Sequence, residues 1–164
     1  MFTELIESIK LVNELKDRGL TISCAESCTG GLVAKSITDV SGVSSVFFGG
    51  VVSYDNSVKE NVLGVSHQTL ESVGAVSYET ACEMAKGVKN LMKTDIGIST
   101  TGIAGPGGGT PQKPVGTVYI GISYKDKTEA KLLSLNPRLS RDEIRNEATR
   151  LVLSLAIEKI LENY

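Results

Sequence analysis

Ser27 lies in the small, polar segment Glu26-Ser27-Cys28-Thr29-Gly30-Gly31, between the apolar run Leu20–Cys24 and a helical pattern that begins at Leu32. A strand that turns through small residues into a helix exposes a hydroxyl. It also leaves the first N–H groups of the helix unpaired, where they and the helix dipole favour negative charge. Such a turn suits nucleophilic attack by Ser27, with the oxyanion held by N–H groups from Cys28 to Gly30, Thr29 included. The same residue types also serve plainer ends: Ser27 or Thr29 can simply cap the helix, and the glycines can make room for the turn.

A serine nucleophile needs a base. His67, the single histidine, sits in Val65-Ser66-His67-Gln68, which reads as a polar helix start. Lys59 is the alternative, five residues after Tyr54 and just past a β-rich run. Burial in a cleft lowers the pKa of an amine and lets it accept a proton. Tyr54 would then relay that proton or hydrogen-bond the nucleophile. A Lys59 that is exposed and paired with Glu60 would do neither.

Two further segments could hold a ligand. In Gly105-Pro106-Gly107-Gly108-Gly109-Thr110-Pro111-Gln112-Lys113-Pro114, the glycines Gly105, Gly107 and Gly108 let the backbone come close to a ligand and turn N–H groups towards it. The stretch lacks the Lys-Ser/Thr ending of a phosphate-binding P-loop, and no helix follows it. Arg141 and Arg145 are four apart on one helix face. Arg141 falls in the first turn, where a cation opposes the dipole unless an anion is bound there. Ion pairs with Asp142, Glu143 or Glu147 are the competing use. The spacing Cys24-x-x-x-Cys28 is not that of a zinc knuckle and suits small packing residues.

The remaining pattern supplies the elements. A helix is predicted over 3–18, with Leu5, Ile6, Ile9 and Val12 on its apolar face, then a strand over 20–24 and a helix over 32–39. A β-rich run covers 46–54, and Asn56 or Ser57 caps a short helix carrying Lys59. Ser77 caps a helix to about Lys93 whose apolar face is Ala81, Met84, Ala85, Val88 and Leu91. Strands follow at 96–100, 116–124 and 128–135, the last two forming a hairpin that turns at Lys125–Lys127. The capping box Ser140-x-x-Glu143 opens a final helix to about Asn163. Mixed strands and helices over 164 residues give one α/β domain, since roughly 150 residues make a domain.

Composition excludes other classes. Lys plus Arg number 17 against 19 Asp plus Glu, a net charge of −2, which disfavours nucleic acid or an anionic membrane as partner. No apolar run approaches the roughly 18 residues of a membrane span, and Met1-Phe2-Thr3-Glu4 does not begin a signal peptide. Three cysteines, an odd number, fit free thiols in a reducing cytoplasm. One histidine disfavours most zinc sites.

Three motifs in order, Ala25-Glu26-Ser27-Cys28-Thr29-Gly30-Gly31, Tyr54-x-Asn56-x-x-Lys59 and Gly102-Ile103-Ala104-Gly105-Pro106-Gly107-Gly108-Gly109-Thr110-x-x-Lys113-Pro114-Val115-Gly116-Thr117-Val118, closely resemble the CinA C-terminal domain family. The resemblance runs from the first helix to the last. Active members of that family are nicotinamide-nucleotide amidohydrolases, and the length matches a stand-alone form. The resemblance implies a three-layer α/β/α sandwich with a mixed sheet, a homo-oligomer (dimer or higher), and no metal or cofactor. It implies hydrolysis of the carboxamide of nicotinamide mononucleotide to nicotinate mononucleotide and ammonia, with Ser27 as nucleophile, Lys59 as base and Tyr54 assisting. The family's Phe-x-Gly-x-Arg before the last helix is replaced here by Leu135-Asn136-Pro137-Arg138-Leu139-Ser140-Arg141, which leaves Arg138 and Arg141 both open as the phosphate ligand. Two other readings stand beside this one: a nucleotide-binding regulatory module without turnover, and a Ser/Lys amidase or peptidase of different substrate range.

Overall fold

The computed structural model describes residues 2–162. Five strands form one mixed sheet in the order β2-β1-β3-β4-β5, where β1 is Ile22–Glu26, β2 Phe47–Val52, β3 Ile96–Gly102, β4 Thr117–Tyr124 and β5 Lys127–Ser134. β1 pairs in parallel with β2 and β3, and β3, β4 and β5 run antiparallel. The helices are α1 (Phe2–Arg18), α2 (Leu32–Thr38), α3 (Asn56–Asn61), α4 (His67–Ser72), α5 (Tyr78–Met92) and α6 (Arg141–Glu162). One sheet face packs against α1, α2 and α6, and α5 crosses the other. This is a three-layer α/β/α sandwich with a mixed sheet.

The layers follow from residue pattern. β1 and most of β3 are buried on both faces and read as continuous apolar or small runs, as parallel strands covered by helices must. The larger core joins Leu11, Val12 and Leu15 of α1 to Ile96, Ile98 and Ile120 of the sheet and Ile144, Val152 and Leu153 of α6. A smaller core joins Met84 and Val88 of α5 to Ala25, Leu63 and Val65.

Several boundaries and faces differ from the sequence pattern. The face that α1 buries is Ser8, Leu11, Val12 and Leu15, whereas Ile6 and Ile9 are 63% and 43% exposed. The sequence periodicity is compatible with either stripe, and docking on α6 selects the one that meets the sheet. Leu91 is likewise exposed, because the buried stripe of α5 continues from Val88 to Met92, which packs beside Gly49 of β2, and Thr80 takes a core position. β1 starts at Ile22, since the Leu20 N–H closes the end of α1 on the Leu15 carbonyl. Asp55, not Asn56 or Ser57, caps α3 by accepting the Ser57 N–H at 2.9 Å. The capping box at Ser140 is reciprocal: its N–H donates to Glu143 Oε2 at 2.7 Å and its Oγ accepts the Glu143 N–H at 3.2 Å. The expected end of the last helix at Asn163 lies outside the described residues. No helix among the described residues is long and apolar enough to cross a membrane.

Candidate active site

Register decides where the chemistry gathers. Glu26, the last residue of β1, pairs with Val52 on one side and Thr100 on the other. The C-terminal ends of the three parallel strands are therefore level, and Ser27, Ser53 and Thr101 emerge side by side. β1 is also where the chain order reverses, with β2 on one side and β3 on the other; a crevice at the carboxyl ends of such strands is where open α/β sheets bind ligands. Two bonds extend the ladder into the loops, from the Ser27 N–H to the Thr100 carbonyl at 2.9 Å and from the Ser53 N–H to the Glu26 carbonyl at 2.8 Å.

The cap at Asp55 turns the chain back, so that Lys59, one turn into α3, reaches this crevice. Lys59 is 1% exposed. Its Nζ lies 3.1 Å from Ser27 Oγ, 2.7 Å from the Ser53 carbonyl and 3.3 Å from the Tyr54 carbonyl. Burial pushes its pKa below the ordinary lysine value, and the Asp55 carboxylate opposes this only in part. The partner set fixes the chemistry of the neutral amine. The two carbonyls can only accept, so they take the two N–H bonds. The lone pair is left facing Ser27, the one hydrogen-bond partner among the described residues with a proton to give.

Glu26 was not singled out in the sequence, and it organises the turn from below. Its buried carboxylate accepts the N–H groups of Val33 at 2.8 Å and Ala34 at 3.1 Å and the Thr29 hydroxyl at 2.6 Å. Thr29 Oγ1 in turn sits 2.7 Å from Thr100 Oγ1. The start of α2 is thus committed to a side-chain carboxylate, which corrects the expectation that the helix terminus itself serves an oxyanion. Within the turn, the Gly30 N–H donates to the Ser27 carbonyl at 3.1 Å and the Leu32 N–H to the Thr29 carbonyl at 3.1 Å. The N–H groups of Cys28 and Thr29 have no oxygen acceptor among the described residues. Positive φ angles at Gly30 (58°) and Gly31 (107°) let the chain pass from β1 into α2 in so few residues. Replacing Glu26 by Ala orphans two buried N–H groups. The expected cost is on the order of 3 kcal/mol, seen as a fall of about 6–12 °C in Tm by thermal denaturation.

The cleft has a volume of about 200 Å³. Ser27, Lys59, Tyr54, Asn56 and Arg141 form its polar side, and Cys28, Ala75, Val76 and Ala104 its apolar side. Two larger hollows, of about 370 and 490 Å³, lie at the β4–β5 hairpin and beside Pro137, and neither contains Ser27 or Lys59. The family model of the CinA C-terminal domain matches residues 6–160 of this chain. The chain belongs to that family.

Relatives of this CinA domain include a putative competence-damage inducible protein of Thermoanaerobacter, 57% identical over 143 residues, which are 87% of this chain and 33% of the relative. A CinA-like protein of Kosmotoga olearia is 52% identical over 158 residues, 96% of this chain and 38% of that protein. The chain thus spans about a third of the length of the curated relatives it matches. Among solved structures, the competence/damage inducible protein CihA of Agrobacterium tumefaciens superposes with a TM-score of 0.92 at 36% identity, covering 95% of this chain and 94% of that one. A CinA superfamily protein of Klebsiella pneumoniae gives 0.92 at 29% identity, covering 97% and 98%.

In the CinA domain the other residues named from sequence separate by position. Arg141, the first residue of α6, lines the cleft; it donates to the Gly105 carbonyl at 2.8 Å and to the Tyr54 hydroxyl at 3.1 Å. The Tyr54 hydroxyl is therefore bonded to Arg141 and not to Ser27 or Lys59. Arg138 is exposed outside the cleft, and its N–H is held by Asn136 Oδ1 at 3.0 Å. Arg145 does not line the cleft; its guanidinium holds the carbonyls of Cys28 and Thr29. Gly105 is buried against the site, but Gly107 and Gly108 are exposed and do not line it. His67 stands apart, with Nδ1 at 2.8 Å from Glu60 Oε1. The Cys28 thiol borders the cleft, but burial pushes its pKa up to about 12, so it stays protonated and is no rival nucleophile.

The far wall of the cleft, between α4 and α5, was silent in the sequence. Three successive carbonyls there are each held by a side chain. Val73 accepts from Lys113 Nζ at 2.8 Å, Gly74 from Ser77 Oγ at 2.9 Å and Thr80 Oγ1 at 2.8 Å, and Ala75 from Thr101 Oγ1 at 2.7 Å. Lys113 so ties the glycine-rich loop to the wall that presents Ala75 and Val76. Losing one such bond costs about 1 kcal/mol. Lys113→Met is expected to lower Tm by about 2–4 °C, measured by thermal denaturation.

Proposed function

We propose that this CinA domain hydrolyses the carboxamide of nicotinamide mononucleotide, giving nicotinate mononucleotide and ammonia through an acyl-enzyme. The observation that carries the reading is the 3.1 Å contact between a buried lysine amine and the Ser27 hydroxyl, with carbonyls as the amine's only other hydrogen-bond partners among the described residues. Family membership supports the substrate class; the names of the relatives specify no reaction.

Neutral Lys59 takes the Ser27 proton directly, since Tyr54 is turned to Arg141. Ser27 Oγ attacks the carboxamide carbon, and the oxyanion lies against the N–H groups of Cys28 and Thr29. Protonated Lys59 returns the proton to the departing nitrogen, which leaves as ammonia. Water, deprotonated by the same amine, then releases the carboxylate product. The apolar side of the cleft, Ala75, Val76 and Ala104, takes the pyridine ring. Arg141, steadied by Tyr54 and Gly105, meets the phosphate.

Ammonia release from nicotinamide mononucleotide tests the reading. Activity in the wild type that is lost in Ser27→Ala supports it; full activity in that variant removes Ser27 as nucleophile. A phosphate contact through arginine is worth roughly 1.5–3 kcal/mol. Arg141→Ala is accordingly expected to raise KM for the mononucleotide by about 10–100-fold and to leave the phosphate-free nicotinamide riboside nearly unaffected, as read by the same assay.

A further inference from the structure

We infer that Arg145 is the positioning residue of the oxyanion site: from α6 it fixes the peptide groups that follow Ser27, without touching substrate. The inference rests on the amidohydrolase reading of the cleft. Arg145 Nε donates to the Cys28 carbonyl at 3.2 Å and Nη2 to the Thr29 carbonyl at 2.9 Å. Its Nη1 lies 3.9 Å from Asp142 Oδ1. One planar guanidinium thus grips two consecutive carbonyls, a geometry that a lysine cannot reproduce.

The consequence follows from peptide planarity. The C=O and N–H of a trans peptide point in opposite directions. Holding the Cys28 and Thr29 carbonyls towards α6 turns the N–H groups of Thr29 and Gly30 away from it. The Gly30 N–H shows where that direction leads, since it ends on the Ser27 carbonyl. The Thr29 N–H, turned the same way, has no oxygen acceptor among the described residues and is set for the negative oxygen formed when Ser27 attacks. Gly30 serves the grip as well: a Cβ there would lie 3.3 Å from Arg145 Nη2, at a φ of 58°. Donors fixed in place before reaction are what makes an oxyanion site effective, and removing one costs roughly 100-fold or more in kcat.

The test is Arg145→Met, with Arg145→Lys as the milder variant that keeps the charge and the stem. Both are assayed for kcat and KM on nicotinamide mononucleotide and on nicotinamide riboside, and both are checked by thermal denaturation. The expected result is a fall in kcat of about 100-fold for Met, and in the same direction for Lys, equal on the two amides and with KM within about threefold. Partial recovery of the Met variant with added guanidinium is expected too. Amide NMR signals of Thr29 and Gly30, the N–H groups of the two gripped peptides, should move in the variants. A loss confined to the phosphorylated amide makes Arg145 a phosphate ligand and overturns the inference, as does an unchanged kcat or unmoved signals at residues 29 and 30. A wild-type domain inactive on both amides instead sinks the amidohydrolase reading, and the oxyanion role falls with it; moved amide signals would then mark Arg145 as a purely structural clamp.

Discussion

Ser27→Ala is expected to lower ammonia release from nicotinamide mononucleotide by on the order of 10⁴-fold or more, because the other hydroxyls that line the cleft are engaged away from Lys59, Tyr54 with Arg141 and Thr101 with the Ala75 carbonyl. The nearest alternative, the Cys28 thiol, is protonated and buried. Ligand binding should survive. Ser27 contributes one hydroxyl to a cleft that Arg141, Asn56, Ala75 and Val76 also line. Calorimetry on the variant should give a Kd for the mononucleotide within a few-fold of the wild-type KM, and the fold is unchanged because the backbone bond from Ser27 to Thr100 remains. Turnover lost while binding is kept marks a group that acts on the reaction, and the size of the loss separates the nucleophile from the positioning residue Arg145, for which about 100-fold is expected.

Lys59→Met is expected to cost about 10³–10⁴-fold in kcat, within the range of general acid–base catalysis by one group. Lys59→Arg should fare no better. A guanidinium stays protonated at any working pH and has no lone pair for the Ser27 proton. The pH profile follows from the same amine. Burial lowers its pKa, so the base form is present only above that lowered value; kcat/KM should rise with pH through it and then level off. Stability carries a matching sign. Between the lowered folded pKa and the ordinary one, the unfolded chain holds a proton that the folded chain does not, so unfolding free energy rises with pH in that window. Lys59→Met removes this pH-dependent contribution. Urea unfolding at several alkaline pH values should show the wild type gaining on the variant as pH increases.

The elements were legible because their signals are local. The Ser77 cap and the reciprocal Ser140–Glu143 pair stand where the side chains alone place them. Faces were less legible: Ile6 and Ile9 keep helical spacing with Val12, yet the stripe that is buried depends on how α1 meets α6, a tertiary fact. In the site, Ser27 and Lys59 could be named by type, but their approach comes from the level ends of β1, β2 and β3, which a parallel register fixes over long sequence separation. The role of Glu26 has no sequence signal, because a glutamate at a strand end reads as surface charge; only the fold shows it buried under α2. The two arginines look equivalent at a four-residue spacing. One turn of helix, 5.4 Å along the axis, is enough to send one into the cleft and the other onto the backbone of the turn.

A titration of the Lys59 side chain by NMR, following its Cε resonance and assigned with Lys59→Arg, bears most directly on whether an uncharged amine activates Ser27. The expected midpoint lies below that of the exposed lysines and coincides with the rising limb of kcat/KM. A midpoint at or above the ordinary lysine value, with the amine charged throughout the active pH range, would contradict the general-base role.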